Sequence, residues 1–127
     1  MIYRVRSKKK LSEVASGLEA AAQSHKFGVM GVYDLKAKMQ EKGVEFERDC
    51  LIFEVCNPQQ AKRVLEKNVE ISTALPCRIS VFQDGNDVVL ATLRPMAMLA
   101  LFGNAGLESV AKEVEETVVA MMQEAAG

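Results

Sequence analysis

The chain has 127 residues, 49% of them hydrophobic and 26% charged, which is the composition of one globular domain large enough to bury a core without disulfides or a structural metal. Its 16 lysines and arginines against 17 aspartates and glutamates give a net charge of −1, which excludes bulk attraction to nucleic acid or an anionic membrane. The longest strongly apolar run, Met96 to Phe102, is far shorter than a membrane span, so we expect one domain over residues 1–127.

The amino terminus and the cysteine count bear on the cellular compartment. The opening MIYRVRSKKK lacks the apolar segment of a secretory signal peptide, so we expect a cytoplasmic protein whose thiols stay reduced. Three cysteines is an odd number, which also disfavours a full disulfide framework. A structural disulfide is therefore not predicted.

The start of the chain predicts a strand, a helix and a second strand. The first strand covers Ile2 to Arg6, and the helix follows from Lys8 with Ser7 as its N-cap. One face of this helix is apolar and carries Leu11, Val14, Ala15, Leu18, Ala21, Ala22 and His25. The segment from Phe27 to Tyr33 predicts the second strand.

Two helices with clear start signals flank the middle of the chain. Asp34 is a suitable N-cap for a short helix that ends at Gly43. The apolar run CLIFEVC, residues 50–56, predicts a central strand buried on both faces. Asn57 followed by Pro58 then starts a helix, because asparagine caps well and proline is tolerated in a first turn. The core face of that helix carries Ala61, Val64 and Leu65.

The last third of the chain predicts a hairpin and a long helix. Two β-branched runs flank DGND, residues 84–87, which is a typical hairpin turn. The final helix has an apolar face and starts at Asn104 or Gly106. Five short strands and four helices in the order β-α-β-α-β-α-β-β-α predict an α+β fold. We expect a two-layer sandwich in which the helices pack on an antiparallel-rich sheet.

Two cysteines that neighbour prolines carry the most distinctive chemistry. Cys56 directly precedes a capped helix, whose N-terminus can lower the thiol pKa by stabilising the thiolate. The alternative is a small thiol that fills a tight corner between strand and helix, as buried cysteines often do. Cys77 opens a strand after Leu75-Pro76, and its charged neighbour Arg78 points to the opposite face of that strand.

The two thiols either share a site or lie far apart. In a strand-helix-strand unit, the end of one strand and the start of the next lie at opposite ends of the sheet, about 20 Å apart for a strand of this length. That separation excludes a shared metal, unless the irregular segment from Asn68 to Pro76 folds back. Both arrangements stay open at the level of sequence.

Lys36 and the methionines also admit two interpretations each. Lys36 sits in the first turn of its helix, where a cation is unfavourable, so it either meets an anion or is an ordinary solvated lysine. The methionines of the last third form core, a subunit interface or the wall of an apolar pocket; they are Met96, Met98, Met121 and Met122. With one histidine and no CxxC or HxxxH spacing, no metal site is predicted.

Several fragments together resemble one bacterial and archaeal family, catalogued as domain of unknown function 302. The fragments are FGVMGVYDLKAKMQEKG, EVCNPQQAKRVL, ALPCRISVF, RPMAML and GNAGLESVAKEVEETV, and the similarity runs from about Ser7 to the end. Its most specific pieces are Cys56-Asn57-Pro58, Leu75-Pro76-Cys77 and the stretch from Pro95 to Asn104. The resemblance implies a compact α+β fold and a homodimer, with no established activity.

These observations predict a homodimeric domain that binds a small ligand or a partner, and they favour a binding role over an enzymatic one. The candidate ligand-binding residues are Lys36, Cys56, Asn57, Pro76 and Cys77, at element ends where backbone donors are free. The competing function is a thiol-dependent redox or metal-binding protein that uses Cys56 with or without Cys77. No catalytic residue is predicted, and the sequence does not identify a cofactor.

Overall fold

The computed structural model of the protein describes residues 1–103 and 106–127. This part of the chain contains five strands, five α-helices and one 3₁₀ helix. The strands are β1 Ile2–Ser7, β2 Gly28–Asp34, β3 Cys50–Cys56, β4 Cys77–Asp84 and β5 Asp87–Leu93. The α-helices are α1 Leu11–Ser24, α2 Leu35–Glu41, α3 Pro58–Lys67, α4 Pro95–Ala100 and α5 Glu108–Ala126. The 3₁₀ helix, Val69–Ala74, lies between α3 and β4.

The five strands form one sheet in the order β1-β5-β4-β3-β2, and every neighbouring pair is antiparallel. β4 and β5 make the predicted hairpin, in which Asp84 lies opposite Asp87. β4 is the central strand, and β1 and β2 are the two edges. The predicted α+β fold, with helices packed on an antiparallel sheet of five strands, is confirmed.

Helices α1 and α5 pack against each other and against one face of the sheet, and this contact forms the core. The side chains of Leu18, Met121 and Met122 are fully buried between them. The sheet residues buried in this core include Phe53, Val55, Cys77, Ile79, Val81, Val88 and Leu90. Each fully buried aliphatic side chain stabilises the fold by about 1.5–3 kcal/mol. This packing fixes the ends of β3 and β4, where the site described below lies.

The described helices leave most of the other sheet face uncovered. We call it the open face; by alternation and strand register it includes Ile2, Ile52, Ser80, Ala91 and Leu93. Ile2 and Leu93 lie opposite each other on neighbouring strands and are 42% and 48% exposed. Two apolar side chains are therefore paired on a surface that the described chain leaves partly exposed.

The prediction that β3 is buried on both faces is wrong. Phe53 and Val55 are buried beneath the helices, whereas Ile52 and Glu54 on the open face are only half-buried. The run looks continuous in sequence because the residues on the open face are also mostly apolar. The continuous apolar run of β3 predicted a strand covered on both sides, but β3 belongs to an antiparallel sheet that helices cover mainly on one side.

The first helix begins later than predicted. Its N-cap position is Lys10, which makes no side-chain capping bond, and Ser7 is the last residue of β1. The Ser7 hydroxyl donates to the Ala126 carbonyl at 2.8 Å and accepts from the Lys9 backbone N–H at 3.1 Å. Ser7 is therefore used to tie β1 to the end of α5, and its role as a helix cap was predicted wrongly.

Helix α4, which follows β5 with Pro95 in its first turn, was not predicted. Six residues are too few to show a helical repeat, so the apolar stretch there was not assigned to an element. The final helix starts at Glu108 with Leu107 at its N-cap position, so Gly106 does not cap it. The alternative start at Asn104 lies outside the described residues.

Candidate functional site

The carboxyl end of β3 and the amino end of β4 lie side by side. Val55 pairs directly with Cys77 across the ladder, so Cys56 lies one residue beyond this pair, and strand alternation directs its side chain to the opposite sheet face from that of Cys77. Ladder spacing places the Cα atoms of the two cysteines about 6 Å apart. Of the two arrangements that the sequence left open, the structure has the one in which the chain folds back, because β3 and β4 are antiparallel neighbours. Helix α3 and the 3₁₀ helix fold back and return the chain to the end that it left.

A small cavity of about 30 Å³ lies at this end of the sheet, beneath α3, α4 and α5. It is lined by Phe27, Val55, Cys56, Asn57, Gln60, Ala61, Val64, Leu75, Cys77, Pro95, Met98, Leu99 and Val114. Both cysteines therefore line one space, together with the thioether-bearing Met98. A volume of this size admits about one water molecule or one ion, whereas organic ligands occupy pockets of about 300–1,000 Å³.

Asn57 has the capping role that the sequence predicts. Its Oδ1 accepts hydrogen bonds from the backbone N–H groups of Gln59 and Gln60, both at 3.1 Å. Its Nδ2 donates to the Lys26 carbonyl at 3.3 Å, which ties the start of α3 to the segment before β2. The side chain of Asn57 thus positions α3 against the cavity, and its hydrogen-bonding groups are already engaged.

Gln60 is the residue of this site that sequence analysis missed. Its Oε1 is buried, and among the described residues it has no hydrogen-bond partner. Leaving a buried acceptor unpaired costs about 1–3 kcal/mol. A signal was available, because Gln60 lies one turn before the buried Val64 and so shares the core face of α3. Its neighbour Gln59 is exposed.

The thiols at the cavity are held in their protonated forms. Burial raises the pKa of the Cys77 thiol to about 11, and the nearby Cys56 thiol adds to the shift. Burial also raises the pKa of Cys56. Of the two interpretations of Cys56, a thiol pKa lowered by the N-terminus of α3 is not supported, because burial raises that pKa. All three cysteines of the chain are free thiols.

Lys36 and Pro76 fall outside the cavity lining. Lys36 lies on α2, whose N-cap Asp34 pairs with Leu51 at the start of β3, so it occupies the opposite end of the sheet from Cys56. Its Nζ lies 3.4 Å from the Asp49 carboxylate in a solvent-exposed ion pair. Pro76 is half-buried in the bend before β4 and follows a cis peptide bond. Of the five candidate residues, the structure brings Cys56, Asn57 and Cys77 together at one cavity.

The methionines separate into different roles. Met121 and Met122 are fully buried in the core between α5 and the sheet, which removes them from any subunit interface. Met98 lines the cavity, and Met96 on the next turn of α4 is 43% exposed. The Met-rich region as a whole is therefore not an exposed surface.

Among the described residues, no group of three or more histidine, cysteine or carboxylate side chains lies close enough to hold a metal ion. No helix formed by residues 1–103 or 106–127 is long and apolar enough to cross a membrane.

Fold and site together define a two-layer α+β domain with a small, sulfur-lined apolar cavity beside the first turn of a helix. The chain belongs to the family described as domain of unknown function DUF302, whose model matches residues 3–125. It is similar to the crystal structure of an uncharacterized conserved protein DUF302 from Bacillus stearothermophilus, with a TM-score of 0.93 and 29% identity, covering 98% of this chain and 97% of that one. No curated protein matches the chain. The family resemblance of the sequence fragments is confirmed.

Proposed function

We propose that this protein is a small cytoplasmic, homodimeric binding domain without enzymatic activity, which holds a small ligand in the cavity beside Cys56 and Cys77. The observation that carries the proposal is the buried Gln60 Oε1, which has no partner within the described chain. A ligand that hydrogen-bonds to Gln60 recovers the free energy that this unpaired acceptor costs. The proposed site keeps Cys56, Asn57 and Cys77, adds Gln60, and leaves out Lys36.

The walls of the cavity support a binding role because they are apolar and held by well-packed elements. Val55 and Leu99 are buried at 0% and 5% exposure, and they belong to β3 and α4, on two sides of the cavity. A low-dielectric space with one unpaired polar group favours a defined occupant over bulk water, because polar contacts are stronger there.

A reactive thiolate is supported less well. A nucleophilic or redox-sensing cysteine needs a substantial thiolate fraction at neutral pH, and burial raises the pKa of both Cys56 and Cys77. We expect the midpoint of Cys56 alkylation by iodoacetamide to lie above that of a free thiol, because burial raises the Cys56 pKa. A midpoint below the free-thiol value of about 8.5 would support the thiol-dependent alternative instead.

Native mass spectrometry of the freshly purified protein tests the ligand. We expect the protein mass plus a small additional mass, and we expect Gln60→Leu to lose that additional mass. Gln59→Leu is the matched control, because Gln59 is exposed on the same helix and does not line the cavity. A wild-type spectrum that shows the protein mass alone, or equal retention by both variants, would contradict the proposed site.

The homodimer in this proposal forms through the open face. Exposed apolar residues there are flanked by ion pairs that contain both signs of charge, Arg6 with Asp84 and Arg78 with Glu54. A two-fold dimer brings the same surface against itself, so a surface with both signs of charge can be self-complementary. The balanced pairs and the apolar Leu93 therefore fit a second copy of this chain.

Light scattering coupled to size-exclusion chromatography tests the dimer. We expect wild-type protein to elute as a dimer and Leu93→Glu to elute as a monomer. The control is Leu101→Glu, because Leu101 is 77% exposed beyond the end of α4 and is not on the open face. Dissociation by Leu101→Glu but not by Leu93→Glu would place the interface elsewhere and contradict this assignment.

A further inference from the structure

We infer that the open face carries a second binding site, which takes the alkyl chain of a free medium-chain carboxylate and holds its head group at Arg78. The site is a hollow of about 310 Å³, which we call the trough. The short side chains of Ser80 and Ala91 form its floor, and longer apolar side chains form its walls. The inference goes beyond the proposed function, because the trough and the cavity beside Cys77 lie on opposite faces of the sheet.

The walls of the trough are aliphatic. Ile2 and Leu93 lie towards the edge strand β1, and Ile52 and Leu35 lie towards α2. Because Ile2 and Leu93 are 42% and 48% exposed, much of their apolar surface contacts water. An alkyl chain laid against these walls removes apolar surface of both molecules from water, which is favourable.

The floor of the trough makes no demand for a polar ligand. The Cys50 Sγ and Ser80 Oγ atoms lie 3.8 Å apart and share a weak hydrogen bond. Ala91 has no polar side-chain atom. Polar groups of a ligand would lose water here without gaining a strong partner, so the part of the ligand that lies on the floor is apolar.

The dimensions of the trough suit a chain of medium length. Its lining residues come from β1, β5, β4 and β3, so it crosses the spacing between strands three times, about 14 Å in all. Its volume lies at the lower end of the range of about 300–1,000 Å³ that organic ligands occupy. An extended decanoate chain has a similar length.

Arg78 provides a cation at the trough. Its Nε donates to the Glu54 Oε2 at 3.2 Å, and its two terminal amino groups have no hydrogen-bond partner in the described part of the chain. The Arg78 side chain is 60% exposed, so a ligand can reach these amino groups. The planar guanidinium presents paired N–H donors that match the two oxygens of a carboxylate.

The neighbouring charges favour an anionic head group. The Glu54 side chain is only 13% exposed, and it is engaged by Arg78 and by the Tyr33 hydroxyl, which donates to it at 3.1 Å. Arg4 lies opposite Ala91 on β1, is exposed, and forms no ion pair within the described residues. Two positive charges and one negative charge therefore surround the trough, and one carboxylate balances them.

The observations favour a free carboxylate over a lipid in a membrane. The net charge of −1 gives the chain no general attraction to an anionic bilayer. The trough also holds a chain along the surface of the sheet, whereas a peripheral membrane site presents a protruding apolar face flanked by many lysines and arginines.

The proposed dimer covers the same face, but it does not by itself fill the trough. A partner that contacts the walls encloses the hollow, and protein interiors contain few voids larger than a water molecule. The carboxylate therefore suits the trough of a monomer and the enclosed trough of a dimer, and the inference does not depend on the dimer.

Isothermal titration calorimetry with decanoate and with decan-1-ol, the uncharged alcohol of the same chain length, tests the head-group contact. We expect one decanoate per wild-type chain and about tenfold weaker binding by Arg78→Gln, as for loss of one charge-assisted hydrogen bond. Binding of decan-1-ol should be the same in both proteins. Arg63→Gln is the matched control, because Arg63 forms an exposed ion pair with Glu113 between α3 and α5, away from the open face.

Ala91→Leu tests the trough itself, because a larger side chain on the floor takes up the space of the alkyl chain. We expect this variant to bind neither decanoate nor decan-1-ol. Ala100→Leu makes the same change at an exposed position of α4 and should bind both as the wild type does. Circular dichroism checks that both variants are folded, and the Arg78→Gln comparison is independent of them because it alters an exposed side chain.

Three results would overturn the inference: no binding of decanoate by the wild type, wild-type affinity in folded Ala91→Leu, or equal effects of Arg78→Gln and Arg63→Gln on decanoate binding. Sedimentation of the wild type with phosphatidylglycerol vesicles would contradict the assignment to a free carboxylate. Light scattering on the same samples reports the dimer separately. A monomer that binds decanoate contradicts only the proposed dimer, and a dimer that binds none contradicts only this inference.

Discussion

Two junctions between strand and helix use the same local signal and end in different surroundings. Asp34 ends β2 and caps α2, with its Oδ1 accepting from the Ala37 backbone N–H at 3.0 Å. Asn57 follows β3 and caps α3 through two backbone N–H groups. Because β2 and β3 are antiparallel neighbours, the two junctions lie at opposite ends of the sheet.

The difference between the junctions comes from what packs on them. No residue of α2 is buried, and Lys36 at that junction pairs with Asp49 in solvent. The α3 junction lies beneath α4 and α5, where burial raises thiol pKa values and leaves an acceptor of Gln60 unpaired. The same local signal, a strand followed by a capped helix, therefore occurs at both junctions. The thiol pKa values and the unpaired acceptor at the α3 junction result from the burial that the rest of the fold provides.

The largest contrast between the two junctions should come from leucine truncation. Leu99 is 5% exposed at the cavity, so Leu99→Ala should lower the free energy of unfolding by about 2–5 kcal/mol. Leu35 is only half-buried at the start of α2, so we expect Leu35→Ala to cost less than half as much. Urea unfolding followed by circular dichroism measures both, and equal losses would contradict the contrast in packing.

The next effect is a dependence of stability on alkaline pH that originates at Cys77. Its folded-state pKa of about 11 exceeds the unfolded value of 9.0, so the folded protein binds more protons between these values. The stabilisation is complete below pH 9 and is lost as the pH rises to 11, on the order of 2 kcal/mol. Urea unfolding of wild type and Cys77→Val at pH 8.5 and pH 10.5 should show a steeper decline in the wild type. Parallel declines would mean that Cys77 is not buried as described.

The caps themselves provide a smaller contrast. Asn57→Ala removes an acceptor for two backbone N–H groups and the bond to the Lys26 carbonyl, so we expect a loss of about 1–2 kcal/mol. Asp34→Ala removes an acceptor for one N–H on a seven-residue exposed helix and should cost about 0.5 kcal/mol. Thermal unfolding ranks the two variants, and a larger loss from Asp34→Ala would contradict the account.

The smallest expected effect is at Lys36. Its ion pair with Asp49 spans 3.4 Å, and the Asp49 side chain is 52% exposed, so Lys36→Gln should change the free energy of unfolding by less than about 0.5 kcal/mol. Added salt should remove even that difference, because it screens exposed pairs. If Lys36→Gln abolished retention of the cavity ligand in native mass spectrometry, Lys36 would belong to the site after all.

The sequence was sufficient to predict structural features that depend only on residues close together in the chain. The hairpin at Asp84 to Asp87, the cap at Asn57 and the apolar stripe of α1 all follow from local preferences and were predicted correctly. The five strands and the α+β class follow from the order of these elements. Short elements failed, because the six residues of α4 show no repeat that distinguishes a helix from a loop.

The site required pairing information that local patterns do not contain. Whether β3 and β4 are antiparallel neighbours decides if Cys56 and Cys77 lie about 6 Å or about 20 Å apart, and either strand order agrees with the same hydrophobic pattern. Helical periodicity could have placed Gln60 on the core face of α3, because the buried Val64 lies one turn further along the helix. The burial of its unpaired Oε1 depends on tertiary packing around the cavity, which local patterns do not show.

The most direct test of the central claim is the melting temperature of Gln60→Leu compared with that of Gln59→Leu and wild type. If Gln60 holds an unpaired acceptor in an apolar cavity, Gln60→Leu removes a penalty of about 1–3 kcal/mol, and its melting temperature should rise by several degrees. Gln59→Leu should stay close to wild type because Gln59 is exposed. A melting temperature of Gln60→Leu at or below that of the wild type would contradict the claim that Gln60 holds a buried, unpaired acceptor in this cavity.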